Sequence, residues 1–277
     1  MLREDIIIHI FSGWRSFLRK CLFRVLRVGP IPSHIAVIMD GNRRYAKKKK
    51  IDDMTGYDAG ALALLHLIIY CMELGVKYVT AYAFSIDNFR RNPEEVQKIM
   101  DLTMESVMLL TWISKLRSVR VHFAGNLQLL SADIQDAAKR LMESTAGYNN
   151  FVLTICICYT CSDEILHAVE ESCKEKWDDG IGIMGYDKGN DYERLIKVVD
   201  IEKHMYMAIA PDPDILIRTG GEYRLSNFLV WQSSCCHLSS LATVWPEFGV
   251  FHLVWVVLDF QQNYRYLSKK KTAVIDP

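Results

Sequence analysis

A chain of 277 residues, 50% of them apolar, can bury one sizeable core, and no Pro/Gly/Ser-rich linker divides it. Its 33 basic and 33 acidic residues cancel, which excludes a chain-wide field for nucleic acid and makes each basic cluster a local feature. Its 8 cysteines, without an evident secretory signal, point to a reducing compartment.

In residues 6–28, Ile6, Ile7, Ile10, Phe11, Trp14, Phe17, Leu18, Leu22 and Val25 recur at near-helical spacing, with Arg15, Arg19, Lys20, Arg24 and Arg27 between them. The charges interrupt any run long enough to span a bilayer. The pattern is a basic amphipathic helix, which either lies in a membrane interface or packs on its own domain.

The next segment, HIAVIMDGNRRYAK (residues 34–47), is a buried-type strand that stops at Asp40-Gly41-Asn42-Arg43-Arg44. The carboxyl end of a parallel strand opens a ligand crevice. A helix starting near Asn42 would turn its unpaired N–H groups and positive dipole end toward that crevice, which favours a phosphate. Two roles fit Asp40: an ordinary helix cap, or a Mg²⁺ ligand, because a carboxylate beside a phosphate is repulsive unless a hard cation lies between them.

A helix over 58–74 leads to a strand over 78–84, whose end carries Ser85, Asn88, Arg90 and Arg91. Asn92, Pro93, Glu94 and Glu95 then supply a cap, a first-turn proline and two acids at the dipole end, predicting a helix to 116. The polar cluster therefore lies in a strand-to-helix loop, where chemistry usually sits. A strand at 119–124, a helix at 131–145, a strand at 151–158 and a helix at 163–176 follow. Alternation puts Cys156 and Cys158 on one strand face; no second Cys or His pair stands at zinc-ligand spacing, and the adjacent Cys235-Cys236-His237 is no better. Residues 177–190, with four glycines, read as a mobile loop.

The segment DILIRTGGEYRLSNFLVWQ (214–232) delivers Arg218 from a short strand into a glycine turn, with Arg224 and Ser226 following. Two guanidiniums and a hydroxyl suit a diphosphate, and Gly220 and Gly221 admit close backbone approach. A strand at 237–244 precedes a helix over 248–267 that is apolar nearly all round, at Val250, Phe251, Leu253, Val254, Trp255, Val257 and Leu258, for burial against the core or a partner subunit. The predicted fold is α/β: a single domain with a central, mostly parallel sheet of about six strands flanked by helices. A haloacid-dehalogenase type phosphatase would need a second Asp where Asn42 stands, and a P-loop kinase would need a Lys after a glycine turn. Arg43 to Lys50 lack the aromatic interleaving of a nucleic-acid surface beyond Tyr45, so no nucleic-acid partner is expected.

Residues 34–47, 74–85, 159–165, 218–232 and 244–248, in this order, closely resemble the cis-prenyltransferases (the undecaprenyl diphosphate synthase family), nearest to the eukaryotic dehydrodolichyl diphosphate synthase catalytic subunits. The similarity covers about Gly29 to Phe260. It implies an amphipathic membrane-associating helix at 1–28, a catalytic domain at 29–267 and a tail at 268–277. It also implies condensation of isopentenyl diphosphate onto farnesyl diphosphate, giving a long-chain polyprenyl diphosphate for dolichol synthesis. In that scheme Gly41, Asn42, Arg43 and Arg44 hold the allylic diphosphate, and Asp40 holds Mg²⁺. Arg218, Arg224, Ser226 and Arg91 grip isopentenyl diphosphate, and Ser85 and Asn88 position the diphosphate that accepts the proton. Leu62, Leu65, Ile69, Phe89 and Val107 would line the product tunnel. A Nogo-B receptor type accessory subunit and the cytosolic face of the endoplasmic reticulum membrane complete the picture. Departures from the family pattern stand at Asp53 (for Arg), Tyr57 (for His), Asn126 (for Asp), Ser162 (for Arg) and His237 (for Glu). They leave open an alternative, a catalytically impaired paralogue acting as a binding subunit.

Overall fold

The computed structural model describes residues 14–176 and 196–275. Its strands are β1 (His34–Ile38), β2 (Tyr78–Ser85), β3 (Val119–Ala124), β4 (Phe151–Tyr159), β5 (Ile215–Arg218) and β6 (His237–Ser240). Its helices are α1 (Trp14–Leu26), α2 (Asn42–Lys49), α3 (Asp53–Leu74), α4 (Pro93–Arg117), α5 (Ala132–Thr145), α6 (Cys161–Lys176), α7 (Val198–His204) and α8 (Val250–Ile275). All pairings are parallel, in the order β3-β4-β2-β1-β5-β6. The chain leaves β1 toward β2 and leaves β5 toward β6, so the crevice at the carboxyl ends of β1 and β5 is a topological switch point, where open α/β sheets bind ligands.

The elements follow from local chemistry. Every residue of β1, β4 and β5 is buried, as a strand covered on both faces requires. Asn92 caps α4 by accepting from Glu94 N at 2.9 Å, with Pro93 in the first turn. The helix expected over 58–74 begins earlier, at Asp53, because Asp52 accepts from Thr55 N at 3.1 Å and caps it. Of the described helices, only α3 is long and apolar enough to cross a membrane, and it is a core helix: Leu67, Ile68, Cys71 and Leu74 are buried in the main hydrophobic cluster. The last helix runs to Ile275, through residues expected to form a tail, since its run of lysines favours helix as well as solvent. The short α7 lacks the apolar periodicity that would have announced it.

Cys156 and Cys158, expected on one face, pack into different clusters on opposite sides of the sheet. The register between β2 and β4 shifts near Phe84, and Cys158 has φ 47°, so the alternation breaks there. The expected mobile loop at 177–190 and the start of the amphipathic segment lie outside the described residues. The described part, α1, buries Phe23 and Leu26 and ties Arg19 to Glu73 through two bonds of 2.6 and 2.8 Å, while Trp14, Phe17, Leu18 and Val25 face outward.

His34, at the start of β1, is wholly buried; its ring nitrogens meet Pro211 O at 2.6 Å and Thr80 Oγ1 at 2.8 Å. Burial pushes its imidazole down to about 4, against the bond to the Pro211 carbonyl. The folded pKa lies below the unfolded one, so stability is present above about 6.5 and is lost as pH falls toward 4. The loss should be roughly 3 kcal/mol, at 1.36 kcal/mol per pKa unit, and should flatten in His34→Asn when urea unfolding is followed across that window.

Candidate active site

Register brings the distant motifs together. Ile38 of β1 pairs with Arg218 of β5, so the chain leaving β1 and the side chain ending β5 meet at one sheet end. Asp40 Oδ2 accepts from Arg218 Nη2 at 2.8 Å and Oδ1 accepts from Arg44 Nη2 at 3.0 Å. Thr219 locks the backbone: its hydroxyl donates to Asp40 O at 2.8 Å and accepts from Asp40 N at 3.1 Å. Burial works against ionisation of Asp40, but the bonds from Arg218 and Arg44 outweigh it and hold the carboxyl below the usual range. The cap position of α2 belongs to Gly41, so Asp40 is not the ordinary cap that its position allowed. Gly41 has φ 114°, and a Cβ there would stand 2.8 Å from Val244, so this turn admits glycine alone without movement.

Arg44 also donates to Gly220 O at 2.6 Å. Arg218 donates through Nη1 to Ser226 Oγ at 2.7 Å and to Arg224 O, which draws the 224–226 turn against the β5 end. Arg218 is 6% exposed and its Nε has no partner among the described residues, which leaves a buried donor in a cationic wall. The side chain of Arg224 reaches Glu222 at 2.6 Å.

These residues border one cavity of about 930 Å³. Its mouth is polar and drawn from three chain segments: Asp40 and the 41–44 turn, then Ser85, Asn88 and Arg91 at the end of β2, then Arg218, Arg224 and Ser226 at the end of β5. Ser85 and Asn88 brace each other's turn: Ser85 N donates to Asn88 Oδ1 at 3.1 Å and Ser85 Oγ accepts from Asp87 N at 3.2 Å. The interior runs between α3, α4 and the sheet and is apolar, lined by Leu64, Leu65, Leu102, Val107, Leu110 and Phe123. A polar mouth on an apolar interior fits an amphiphile with an anionic head.

Leu65 and Val107 line this cavity as expected; Leu62, Ile69 and Phe89 do not. Leu62 packs against the main hydrophobic cluster, Ile69 is buried beside a separate small cavity with Met72 and Trp112, and Phe89 sits half exposed with its edge on Phe84. Tyr57 reaches the cavity, whereas Asp53 is exposed in the first turn of α3 and does not touch it. Asn126 uses its backbone N–H on Cys158 O, and Ser162 bonds Asn227; neither lines the cavity. His237 faces Asp259 of α8 at 2.9 Å, on the sheet edge away from the mouth.

Two contributors were not singled out from sequence. Thr219 is hidden beside the glycine turn. Glu95, read only as a dipole acid, accepts from Arg91 at 3.0 Å and from Tyr57 at 3.1 Å and stands 3.6 Å from Arg43, so one carboxylate orients three cavity-lining side chains. The Arg91 and Glu95 spacing of four residues was the available signal. Burial pushes the Tyr57 phenol up, with Arg91 opposing, so it stays neutral and donates.

Comparison with known proteins agrees with this architecture. Residues 38–268 match the family described as "Putative undecaprenyl diphosphate synthase". The chain belongs to this family, the cis-prenyltransferases, which transfer alkyl groups other than methyl and elongate cis-prenyl chains. It is 51% identical over 95% of its length, and 96% of the relative's, to dehydrodolichyl diphosphate synthase CPT3 of Solanum lycopersicum. It is 37% identical to the dehydrodolichyl diphosphate synthase complex subunit DHDDS of Homo sapiens, covering 95% of this chain and 77% of that one. The crystal structure of lavandulyl diphosphate synthase from Lavandula x intermedia with dimethylallyl diphosphate superposes with a TM-score of 0.72 at 26% identity, over 83% of this chain and 95% of that one.

Because Arg218 and Arg44 hold the Asp40 carboxyl down together, Arg218→Ala should raise the Asp40 pKa above its wild-type position. A carbon-13 carboxyl titration by NMR reads it; an unchanged midpoint would contradict the pairing.

Proposed function

We propose that this chain condenses isopentenyl diphosphate onto farnesyl diphosphate and repeats the step to give a long-chain dehydrodolichyl diphosphate for dolichol synthesis and protein glycosylation. The observation that carries the reading is one cavity lined by anion-binding groups from three chain segments and by the apolar side chains of α3, α4 and the sheet. The 51% identity to a synthase over 95% of the chain, with Asp53 turned to solvent, does not favour an impaired binding subunit.

Each group has a role in this scheme. The 41–44 turn, with Arg43 and Arg44, would hold the allylic diphosphate through backbone N–H groups and guanidiniums at the start of α2. Arg218, Arg224, Ser226 and Arg91 would hold isopentenyl diphosphate. The allylic carbon–oxygen bond breaks with its electron pair leaving on diphosphate, the isopentenyl double bond forms the new carbon–carbon bond, and one proton is lost. Ser85 and Asn88 would orient the diphosphate that accepts that proton. The apolar interior excludes water from the carbon cation, and its walls take up the growing chain.

Among the described residues no group of three or more His, Cys, Asp or Glu could hold a metal ion. The fit for Mg²⁺ is nonetheless good, because this ion is commonly held by one or two carboxylates plus substrate phosphates rather than by a protein cage. Asp40 is such a carboxylate, charged and at the mouth, and Mg²⁺ there would neutralise charge on the departing diphosphate.

The outward faces supply two further surfaces. On α8, Leu253, Val256, Val257 and Phe260 are buried while Phe251, Trp255 and Leu258 are exposed, beside β6, an edge strand of the sheet among the described residues. That face suits an accessory subunit of the Nogo-B receptor type. The exposed Trp14, Phe17 and Leu18 of α1, with Lys20 and Arg24, suit the cytosolic surface of the endoplasmic reticulum membrane as a peripheral contact.

Incorporation of labelled isopentenyl diphosphate, with Mg²⁺ and the accessory subunit present, tests the chemistry. Asp40→Ala should lower kcat by at least about a hundredfold, the scale of one lost electrostatic contact in a dry site. Arg218→Ala should raise the KM for isopentenyl diphosphate first. Wild-type turnover by Asp40→Ala removes Asp40 from the mechanism. For the surface, Trp14→Glu with Phe17→Glu should abolish flotation with phosphatidylcholine/phosphatidylserine vesicles; undiminished flotation means that α1 does not dock there.

A further inference from the structure

The segment carrying Arg224 and Ser226 is held in an unfavourable backbone. Ser226, Asn227 and Leu229 have φ of 51°, 58° and 44°, a left-handed region that side chains other than glycine rarely adopt. Such conformations persist only where the surroundings over-determine them. Here the surroundings are the end of β4 and the first turn of α6.

Asn227 is gripped by three groups of that turn: its carbonyl accepts from Cys161 N at 2.8 Å, its Oδ1 accepts from Ser162 N at 3.2 Å, and its Nδ2 donates to Ser162 Oγ at 3.1 Å. Phe228 is fully buried and stacks on Tyr82 at 4.5 Å. Further along, Gln232 Nε2 donates to Glu164 Oε2 at 3.0 Å. Glu164 is wholly buried, and it also accepts from Tyr159 Oη at 2.5 Å and from Met207 N at 2.9 Å. Every partner of this carboxylate is a donor, so the pocket is built for an acceptor on both oxygens. Burial pushes the Glu164 carboxyl up, and the bonds from Tyr159, Gln232 and Met207 oppose it. A buried carboxyl kept at that cost, outside the cavity, needs a purpose.

We propose that Glu164 and Asn227 are positioning residues for the isopentenyl diphosphate site: they clamp residues 226–232 so that the Ser226 hydroxyl stays against Arg218 and Arg224 stays at the mouth. The clamp gives Ser162 a role that does not require it to bind phosphate. The inference rests on the reading that Arg218, Arg224 and Ser226 hold isopentenyl diphosphate. Neither clamp residue touches the 41–44 turn, so loosening the clamp acts on one substrate and spares the other.

Two variants test it with the full chain and its accessory subunit. Glu164→Gln keeps the shape but sets an NH₂ group against a donor. Asn227→Gly adopts the left-handed φ freely and loses the side-chain grip on Ser162 along with a side chain that borders the cavity, whereas Glu164 lies outside it. Both should raise the KM for isopentenyl diphosphate about tenfold or more, with the KM for farnesyl diphosphate and the kcat at saturation within about twofold of wild type. Asn227→Gly should do so with little change in melting temperature. Equal rises in both KM values, or lowered melting temperatures with unchanged KM values, overturn the clamp. Arg218→Ala in the same assay separates the two ideas. If it raises the isopentenyl diphosphate KM while the clamp variants do not, the clamp is wrong. If it leaves that KM unchanged, the site assignment falls and the clamp with it.

Discussion

The ion pair between Asp40 and Arg218 is the contact on which the rest of the site depends. Arg218 is almost fully buried at the end of β5, and a buried guanidinium needs a counter-charge or it costs several kcal/mol. Asp40, 178 residues earlier in the chain, supplies it because the β1 and β5 register sets Ile38 opposite Arg218 and Thr219 pins the backbone after β1. A diphosphate is an alternative counter-ion with the same geometry and more charge. In the proposed reaction the guanidiniums would turn from the carboxylate to phosphate oxygens, and Asp40 would be the residue free to hold Mg²⁺, so no charge would be left uncompensated.

The same logic of swapped partners extends around the mouth. Arg91 and Arg43 share Glu95 with Tyr57, and Arg44 shares Asp40 with Arg218. Each cation that would meet a phosphate is thus held in place beforehand by an acid. This preorganisation confines the electrostatics to the mouth and leaves the interior to Leu, Val and Phe side chains, which contribute dryness and room rather than specificity.

Much of this was legible from sequence where the chain punctuates itself. The strand ends at Asp40-Gly41 and Arg218-Thr219-Gly220 and the Asn92-Pro93 helix start carry their own chemistry, and the expected site residues do line one cavity. What could not be read was anything set by a partner far along the chain. Cys158 changes face because β2 and β4 slip in register, an interaction between strands that alternation within one strand cannot report. The side of α3 that borders the cavity, Ala61 and Leu64 beside the expected Leu65 but not Leu62 or Ile69, depends on how α4 lies over it, since the helix is apolar on most sides. The departures at Asp53, Asn126, Ser162 and His237 were measured against a family pattern that supposes one fixed role per position. Asp53 is exposed, Ser162 and His237 bond structural partners, Asn126 does not line the cavity, and Tyr57 alone of the five reaches it.

The most direct measurement of the central claim is a crystal structure with Mg²⁺, isopentenyl diphosphate and a non-hydrolysable thio-analogue of farnesyl diphosphate. The account predicts both diphosphates in the mouth between Asp40, Arg44 and Arg218, with the cation on Asp40 and the farnesyl chain against Leu65 and Val107. Diphosphates bound away from the ends of β1 and β5, with Asp40 and Arg218 still paired, would contradict it.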